Sequence, residues 1–285
     1  ETPSLRLQGE KYRRTVPRAA WMFTRHAQHS RFRTVGEEVV FGEEDGLPPV
    51  VLTLHDGRKI ALRGKIDRID RWEGDEGVYL LVSDYKSSHR DIDPTRLWYG
   101  LQLQLLLYLQ AACEWFDGIP AGSFFFTILD PMVDTADVKE SAEKAIAKKL
   151  HLKGIVLADV DVVEALDSNP GYSFTKIFNA DSSVASSSDG YTSEEMAALL
   201  AHAKKMAAEL ADRIRSGEIT PSPAVIRDWN ACQWCDCAGV CKLDTSIPGH
   251  EKRELPPLKK HDLLNLMANE TDAPGNEEST SPKKR

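Results

Sequence analysis

The sequence predicts an α/β fold in which a mixed, mostly antiparallel central sheet is flanked by helices and closed by a C-terminal cysteine loop. Three observations carry that expectation. The first third alternates with the period of strands, and turn residues separate the runs. The later parts hold Leu-rich and charged stretches with helix-capping residues. Near the end, Cys232, Cys235, Cys237 and Cys241 fall within ten positions.

Taken in order, residues 5–30 are helical in tone, with an interruption expected at Pro17. The period then changes, and residues 35–42, 50–55 and 59–72 read as strands. Asp56-Gly57 is the hairpin signal between the second and third of these. Residues 73–77 make another turn, and residues 78–86 a fourth strand. Its run Val78-Tyr79-Leu80-Leu81-Val82 suits a buried centre. Asp93 as N-cap and Pro94 at the first helical position open a helix to about Phe116. A strand over residues 123–129 follows, then a charged amphipathic helix over 135–150 and a shorter helix over 160–166. Residues 182–190 are Ser-rich and read as a mobile loop. Thr192 and Glu195 form a capping box for a long helix ending near Gly217. After the cysteine loop the chain turns polar from about Pro248, and disorder is expected from Glu270.

Composition bounds the function. Of 285 residues, 41% are hydrophobic and 28% charged, the balance of a soluble globular chain. No run of about 18 apolar residues exists, so no membrane span is expected. No signal peptide is visible, which makes a cytoplasmic location the expectation. Glu1 is not an initiator Met and opens what reads as mid-protein helix, so a fragment of something larger is expected. A net charge of −8 argues against a free-standing nucleic-acid binder. Lys65, Arg68, Arg71, Lys86, Arg90 and Arg96 nevertheless crowd one region. A site that holds cations must itself be acidic, so the overall charge decides little.

The chemistry centres on Gly64-Lys65-Ile66-Asp67-Arg68-Ile69-Asp70 and Ser83-Asp84-Tyr85-Lys86. Alternate residues of a strand share a face, so Asp84 and Lys86 point the same way, and strand pairing can bring Asp67 beside them. Two carboxylates with open positions suit Mg²⁺ or Mn²⁺, which take oxygen ligands and keep waters. Such a metal polarises a phosphate and lowers the pKa of an attacking water. Lys86 can stabilise charge on the phosphoryl oxygens. The D-x-K triplet alone is a weak signal, because Asp and Lys are common at strand ends. An acid closing a buried apolar strand, however, needs a partner. On the next helix Gln104 and Tyr108 stand four apart on one face. That polar stripe either holds a DNA backbone or the metal site, or is the solvated face of an amphipathic helix.

Together, G-K-I-D-R-I-D, D-Y-K-S-S and Y-G-L-Q-L-Q-L-L-L-Y resemble motifs of the RecB-type branch of the PD-(D/E)xK nucleases. Closer still is the likeness to the C-terminal nuclease domains of AddAB-type helicase–nucleases, from about Arg18 to the cysteine loop. It includes Arg25-His26-Ala27, Gly46-Leu47-Pro48-Pro49, and Pro120-Ala121-Gly122 leading to Leu129-Asp130-Pro131-Met132. The resemblance implies a restriction-endonuclease-like fold. It implies Asp67 and Asp84 as metal ligands, the Tyr85 carbonyl as a further one, Lys86 as catalytic, and Gln104 and Tyr108 as the family's helix motif. Glu38 sits where such nucleases often have an acid. The family's upstream His, in a G-x-x-x-H setting, is not found. His26 is not in that setting, so this ligand is expected to lie outside the chain.

Four cysteines so close together do not suit a disulfide framework, and metal binding is the better reading. Thiolates bind 4Fe–4S and Zn²⁺ alike, so the thiols alone leave the metal open. The resemblance implies a 4Fe–4S cluster on Cys232, Cys235 and Cys241, with the fourth Cys upstream of Glu1 and Cys237 as an extra thiol. Cys113, on the Leu-rich helix, reads as a buried small hydrophobe. The implied organisation is an N-terminal helical segment (1–33) continuing from upstream, a nuclease domain (34–220), an iron–sulfur loop (221–250) and a largely disordered tail (251–285). The implied activity is that of a Mg²⁺-dependent exonuclease. It would process double-strand-break ends for recombination, acting on a single DNA strand delivered by an AddA-type helicase–nuclease partner. Two alternatives stay open. One is a free-standing RecB-like exonuclease of CRISPR adaptation. The other is a catalytically silent iron–sulfur or zinc module that clamps DNA.

Overall fold

The computed structural model describes residues 2–132, 142–169, 174, 176–186 and 188–272. Helix α1 (Pro3–His29) opens it, with the Thr2 side chain accepting from the Leu5 N–H. The interruption expected at Pro17 is absent, and the helix runs through it. Proline leaves the carbonyl four residues back without its donor. Here that carbonyl belongs to Arg13, on an exposed stretch where water can satisfy it.

Strands β1 (Arg33–Phe41), β2 (Val50–Thr53), β3 (Lys59–Leu62), β4 (Gly64–Gly74) and β5 (Gly77–Lys86) follow. Residues 59–72, expected as one strand, are two. β3 pairs with β2 in a separate ribbon, while β4 enters the main sheet. The joint is Arg63. Gly42, at φ +75°, lies so close to it that a Cβ there would sit 2.8 Å from the Arg63 side chain and the Leu62 carbonyl. The helix expected over 93–116 is also two, α2 (Pro94–Trp98) and α3 (Gln104–Phe116). Asp93 caps α2, accepting from the Thr95 N–H at 2.8 Å. Gly100 then turns the chain at φ +73°.

The remaining elements of this part are β6 (Ile119–Thr127), α4 (Ala142–Lys149), β7 (Lys153–Leu157), α5 (Val160–Leu166), β8 (Gly190–Tyr191) and α6 (Ser193–Arg215). Of the helix expected over 135–150, residues 135–141 lie outside the described residues. Within the Ser-rich stretch, Val184 bridges to Phe178 and Gly190 pairs in β8, so its described part is not simply a loop. The capping box of Thr192 and Glu195 is formed.

Six strands make the main sheet in the order β1-β4-β5-β6-β7-β8. The β1–β4, β4–β5 and β6–β7 pairs are antiparallel, and β5–β6 and β7–β8 parallel. Helices α1 and α4 bury Met22, Ile146 and Leu150 against Phe126. Helix α3 covers β5 and β6 and is backed by α6. Among the described residues no helix is long and apolar enough to cross a membrane.

The C-terminal region holds β9 (Ala224–Ile226), β10 (Trp229–Asn230), a 3₁₀ turn (Ala231–Trp234), α7 (Ala238–Cys241), β11 (Arg253–Glu254) and α8 (Lys260–Asp272). The tail beyond residue 250 was expected to be largely disordered, and its first half is not. β11 pairs in parallel with β9. Leu263 and Met267, four apart on α8, are 0% and 3% exposed in the main core. Glu270 pairs with Lys205 and His202 of α6. Residues 273–285 lie outside the described part.

Beneath α1 is a cavity of about 50 Å³ lined by His26, Ser30, Arg68, Asp70, Ser83 and aromatic side chains. His26 is 9% exposed, and neither ring nitrogen has a hydrogen-bond partner. Burial, aided by the charges of His151, Arg68 and His29, pushes its pKa down to about 3. The folded state therefore keeps the ring neutral where the unfolded chain, near pH 6.5, takes up a proton. Stability should be complete above about pH 6.5 and fall by up to about 1.4 kcal/mol per pH unit toward pH 3. His26→Leu should flatten that slope in denaturant midpoints measured between about pH 4 and 8. An unchanged slope would place the acid sensitivity elsewhere.

Candidate active site

The site grows from the end of β5. Leu80, Leu81 and Val82 are buried between β4 on one side and β6 on the other. The β4–β5 ladder runs from Gly74↔Gly77 to Arg68↔Ser83. Beyond it the Asp67 carboxylate takes over, accepting the Tyr85 N–H at 2.8 Å. On the other side, the β1–β4 ladder runs Glu37↔Arg68 and then Val39↔Ile66, passing over Glu38 and Asp67. Glu38 stands there at φ +52°. Asp67 thus sits where the sheet opens, and its side chain replaces a backbone acceptor.

Asp84 is 4% exposed, and Lys86 lies against its Oδ2 in an ion pair. Burial raises the Asp84 pKa, the charge of Asp67 adds to the rise, and Lys86 opposes it. Among the described residues no donor besides the Lys86 ammonium meets the buried Oδ2. Two carboxylates, one of them desolvated and short of donors, fit a hard divalent cation. Among the described residues no group of three or more His, Cys, Asp or Glu is assembled for a metal. Further ligands in this set would have to be backbone oxygens or water.

The helix pair lies at the edge of this arrangement. Gln104 donates to the Tyr108 hydroxyl at 3.1 Å. Tyr108 meets Phe41 edge-on at 5.7 Å, and its hydroxyl is 3.3 Å from where a Cβ on Gly64 would lie. Among the described residues neither side chain bonds to Asp67, Asp84 or Lys86. Glu38 pairs with Lys65 instead of joining the carboxylates. His26 lies in the cavity under α1 with Arg68 and Ser83. Since Ser83 and Asp84 are consecutive in a strand, their side chains point to opposite faces. Cys113 packs against the core, where burial pushes its thiol up to about 12.

Among the described residues five of the six crowded cations, all but Arg90, stand in local pairs. Arg68 bonds both oxygens of Asp70, at 2.8 and 2.9 Å, and Thr34 donates to the same carboxylate. Arg71 pairs with Glu73, and Arg96 stands 3.8 Å from Asp93. Motif spacing does not single out Asp70, although its place two residues after Arg68 on one strand face is readable. Nor does it single out Lys153, which lies on a strand the hydrophobic pattern leaves unmarked.

Cys232, Cys235, Cys237 and Cys241 are exposed free thiols. Local turns organise them: Asn230 accepts from the Cys232 N–H at 2.8 Å, and the Cys241 N–H reaches the Cys237 carbonyl at 2.8 Å. As placed, they do not converge on one centre and do not fit a closed cluster.

Residues 2–242 match the model of the PD-(D/E)XK nuclease superfamily, and the chain belongs to that superfamily. It is similar to an ATP-dependent helicase/deoxyribonuclease subunit, of the AddB type, from Ruminiclostridium cellulolyticum. The two are 36% identical over 278 residues, which are 93% of this chain and 24% of that relative. The corresponding protein of Alkaliphilus metalliredigens is 33% identical over 272 residues, 92% of this chain and 24% of its own length. That of Bacillus licheniformis is 31% identical over 278 residues, again 93% and 24%. The chain spans about a quarter of the length of these relatives.

The Asp67–Tyr85 bond separates fold from chemistry. Asp67→Ala leaves the Tyr85 N–H without its acceptor and should cost about 1–3 kcal/mol in urea unfolding. Asp67→Asn keeps an acceptor and should cost much less. Equal midpoints for the parent and both variants would show that the bond contributes nothing.

Proposed function

We propose that this chain is the metal-dependent nuclease part of an AddAB-type helicase–nuclease, hydrolysing DNA phosphodiesters. The observation that carries the reading is the buried Asp84 paired with Lys86 at the mouth of the sheet, with Asp67 beside them. Asp67, Asp84 and the Tyr85 carbonyl would hold Mg²⁺ or Mn²⁺. When bound, such a cation polarises the phosphate and lowers the pKa of water. Lys86 would leave Asp84 to meet charge developing on the phosphoryl oxygens. Gln104 and Tyr108, at the start of α3, would steady the DNA backbone. By likeness to the helicase/deoxyribonuclease relatives, the strand would come from an AddA-type motor partner, and the product would be processed double-strand-break ends for recombination.

The same reading assigns Cys232, Cys235 and Cys241 to a 4Fe–4S cluster completed by a ligand from outside the chain. It rests on the likeness to AddAB-type nuclease domains together with thiolate chemistry, not on the placement of the thiols.

In the full-length protein, Asp84→Ala should abolish Mg²⁺-dependent cleavage of single-stranded DNA while leaving the fold intact. Lys86→Ala should lower turnover by about 10²-fold or more with a much smaller loss of DNA affinity. An Asp84→Ala protein that cuts like its parent would remove the assignment, whereas a parent that binds DNA and never cuts would leave the silent DNA clamp. For the cluster, iron analysis of the isolated chain should find fewer than four irons per protein. Four irons held through Cys232, Cys235, Cys237 and Cys241 would overturn the external ligand.

A further inference from the structure

We propose that Lys153 binds the DNA phosphate neighbouring the one at the Asp84–Lys86 site, an inference that rests on the nuclease reading. Sheet register carries it. Asp84 pairs with Phe125 across β5–β6, and Phe125 pairs with Lys153 across β6–β7. Residues paired across strands present their side chains on the same face. Asp84, Phe125 and Lys153 therefore form one cross-strand row. Neighbouring strands lie about 4.8 Å apart, so the Cα of Lys153 is about 10 Å from that of Asp84. Between them, the buried Phe125 ring forms an apolar floor, with the Lys86 ammonium 6.0 Å from its centroid. One lysine stands at each end of that floor.

The charge of Lys153 is less committed than that of its neighbours. Lys65 and Lys86 lie against Glu38 and Asp84, and Arg68 grips Asp70 with two bonds. Lys153 has a 3.8 Å approach to Asp91, and these side chains are 31% and 58% exposed. An open pair of that kind is worth little and exchanges readily. Asp189 also lies near. Burial raises its carboxyl to about 6 against the pull of Lys153, and its Oδ2 has no hydrogen bond. A phosphodiester entering along the row would find an ammonium whose present partner is easily displaced.

The test uses the full-length protein and a labelled single-stranded oligonucleotide. Affinity is read with Ca²⁺ in place of Mg²⁺ over a range of salt, and cleavage with Mg²⁺. Lys153→Ala should raise Kd and KM about fivefold, the scale of one exposed charged contact, with kcat within about twofold. The slope of log affinity against log salt should shrink by about 0.7, the share of one single-strand phosphate. Lys153→Arg should restore both. Asp91→Asn separates this from a lysine that merely pins the loop after β5: it should leave binding unchanged or tighter. The proposal is overturned if Lys153→Ala keeps the parental Kd and salt slope. It is equally overturned if kcat alone falls, or if Asp91→Asn copies the Lys153→Ala defect. A parent that binds with a Lys153-dependent slope yet never cleaves would keep the phosphate contact and remove the nuclease reading.

Discussion

A carboxylate at 4% exposure loses most of its hydration, and an unopposed buried charge costs several kcal/mol. Lys86, two residues beyond Asp84, supplies the opposition, and strand alternation is what allows it: only at that spacing do both side chains leave the same face. The surrounding architecture follows from keeping β5 buried up to that point. β4 closes one side as a hairpin, and β6 closes the other in parallel. A parallel neighbour needs a crossover of a dozen residues or more. The chain between Lys86 and Ile119 provides it, and α3 lies within that connection. Gln104 and Tyr108 are thus brought near the start of β4 by the topology that buries Asp84.

The parts of this arrangement that were legible in the sequence are those with short-range signals. The apolar run 78–82, the Asp56-Gly57 hairpin, the Asp93-Pro94 cap and the Thr192–Glu195 capping box each appear where the residues place them. The D-x-K triplet and Asp67 read correctly as neighbours, because a tight hairpin leaves the register little freedom. What failed depends on longer range. Pro17 reads as a break only if its lost acceptor is buried, and it is not. Arg63 and Gly100 are ordinary in a local window, yet each marks a joint. β7 is a short apolar run that helix and strand share, and only its pairing with β6 decides the matter.

The C-terminal region shows the same limit. Lys260, Leu263 and Met267 sit in a polar stretch that looks too poor in apolar residues to fold. The deciding contacts come from elsewhere: the Lys260 ammonium caps the Ser188 and Gly190 carbonyls and lies 4.2 Å from the Tyr191 ring centroid. Arg96 stacks over Trp229 at 4.8 Å, tying α2 to the strands that precede the cysteines. The cysteine segment is therefore anchored on both sides, while its thiols stay exposed and apart. A loop held at its ends does not by itself bring sulfurs together; thiolates converge when a metal supplies the binding energy.

Net charge and local charge also separate here. At −8 the chain as a whole repels a polyanion. Near the carboxylates, most of the cations already face an acid: Lys65 with Glu38, Lys86 with Asp84, Arg68 with Asp70. A strand binding at this surface would gain less from adding charge than from exchanging partners, each phosphate replacing a carboxylate beside a lysine. Exchange favours the pairs that are open and exposed over those that are buried and doubly bonded. Arg68 with Asp70 belongs to the second kind and serves the fold. Lys86, paired at the end of a strand whose own acid suits a divalent cation, stands between the two. A cation on Asp84 would free Lys86, so metal and phosphate would favour each other's binding through a single carboxylate.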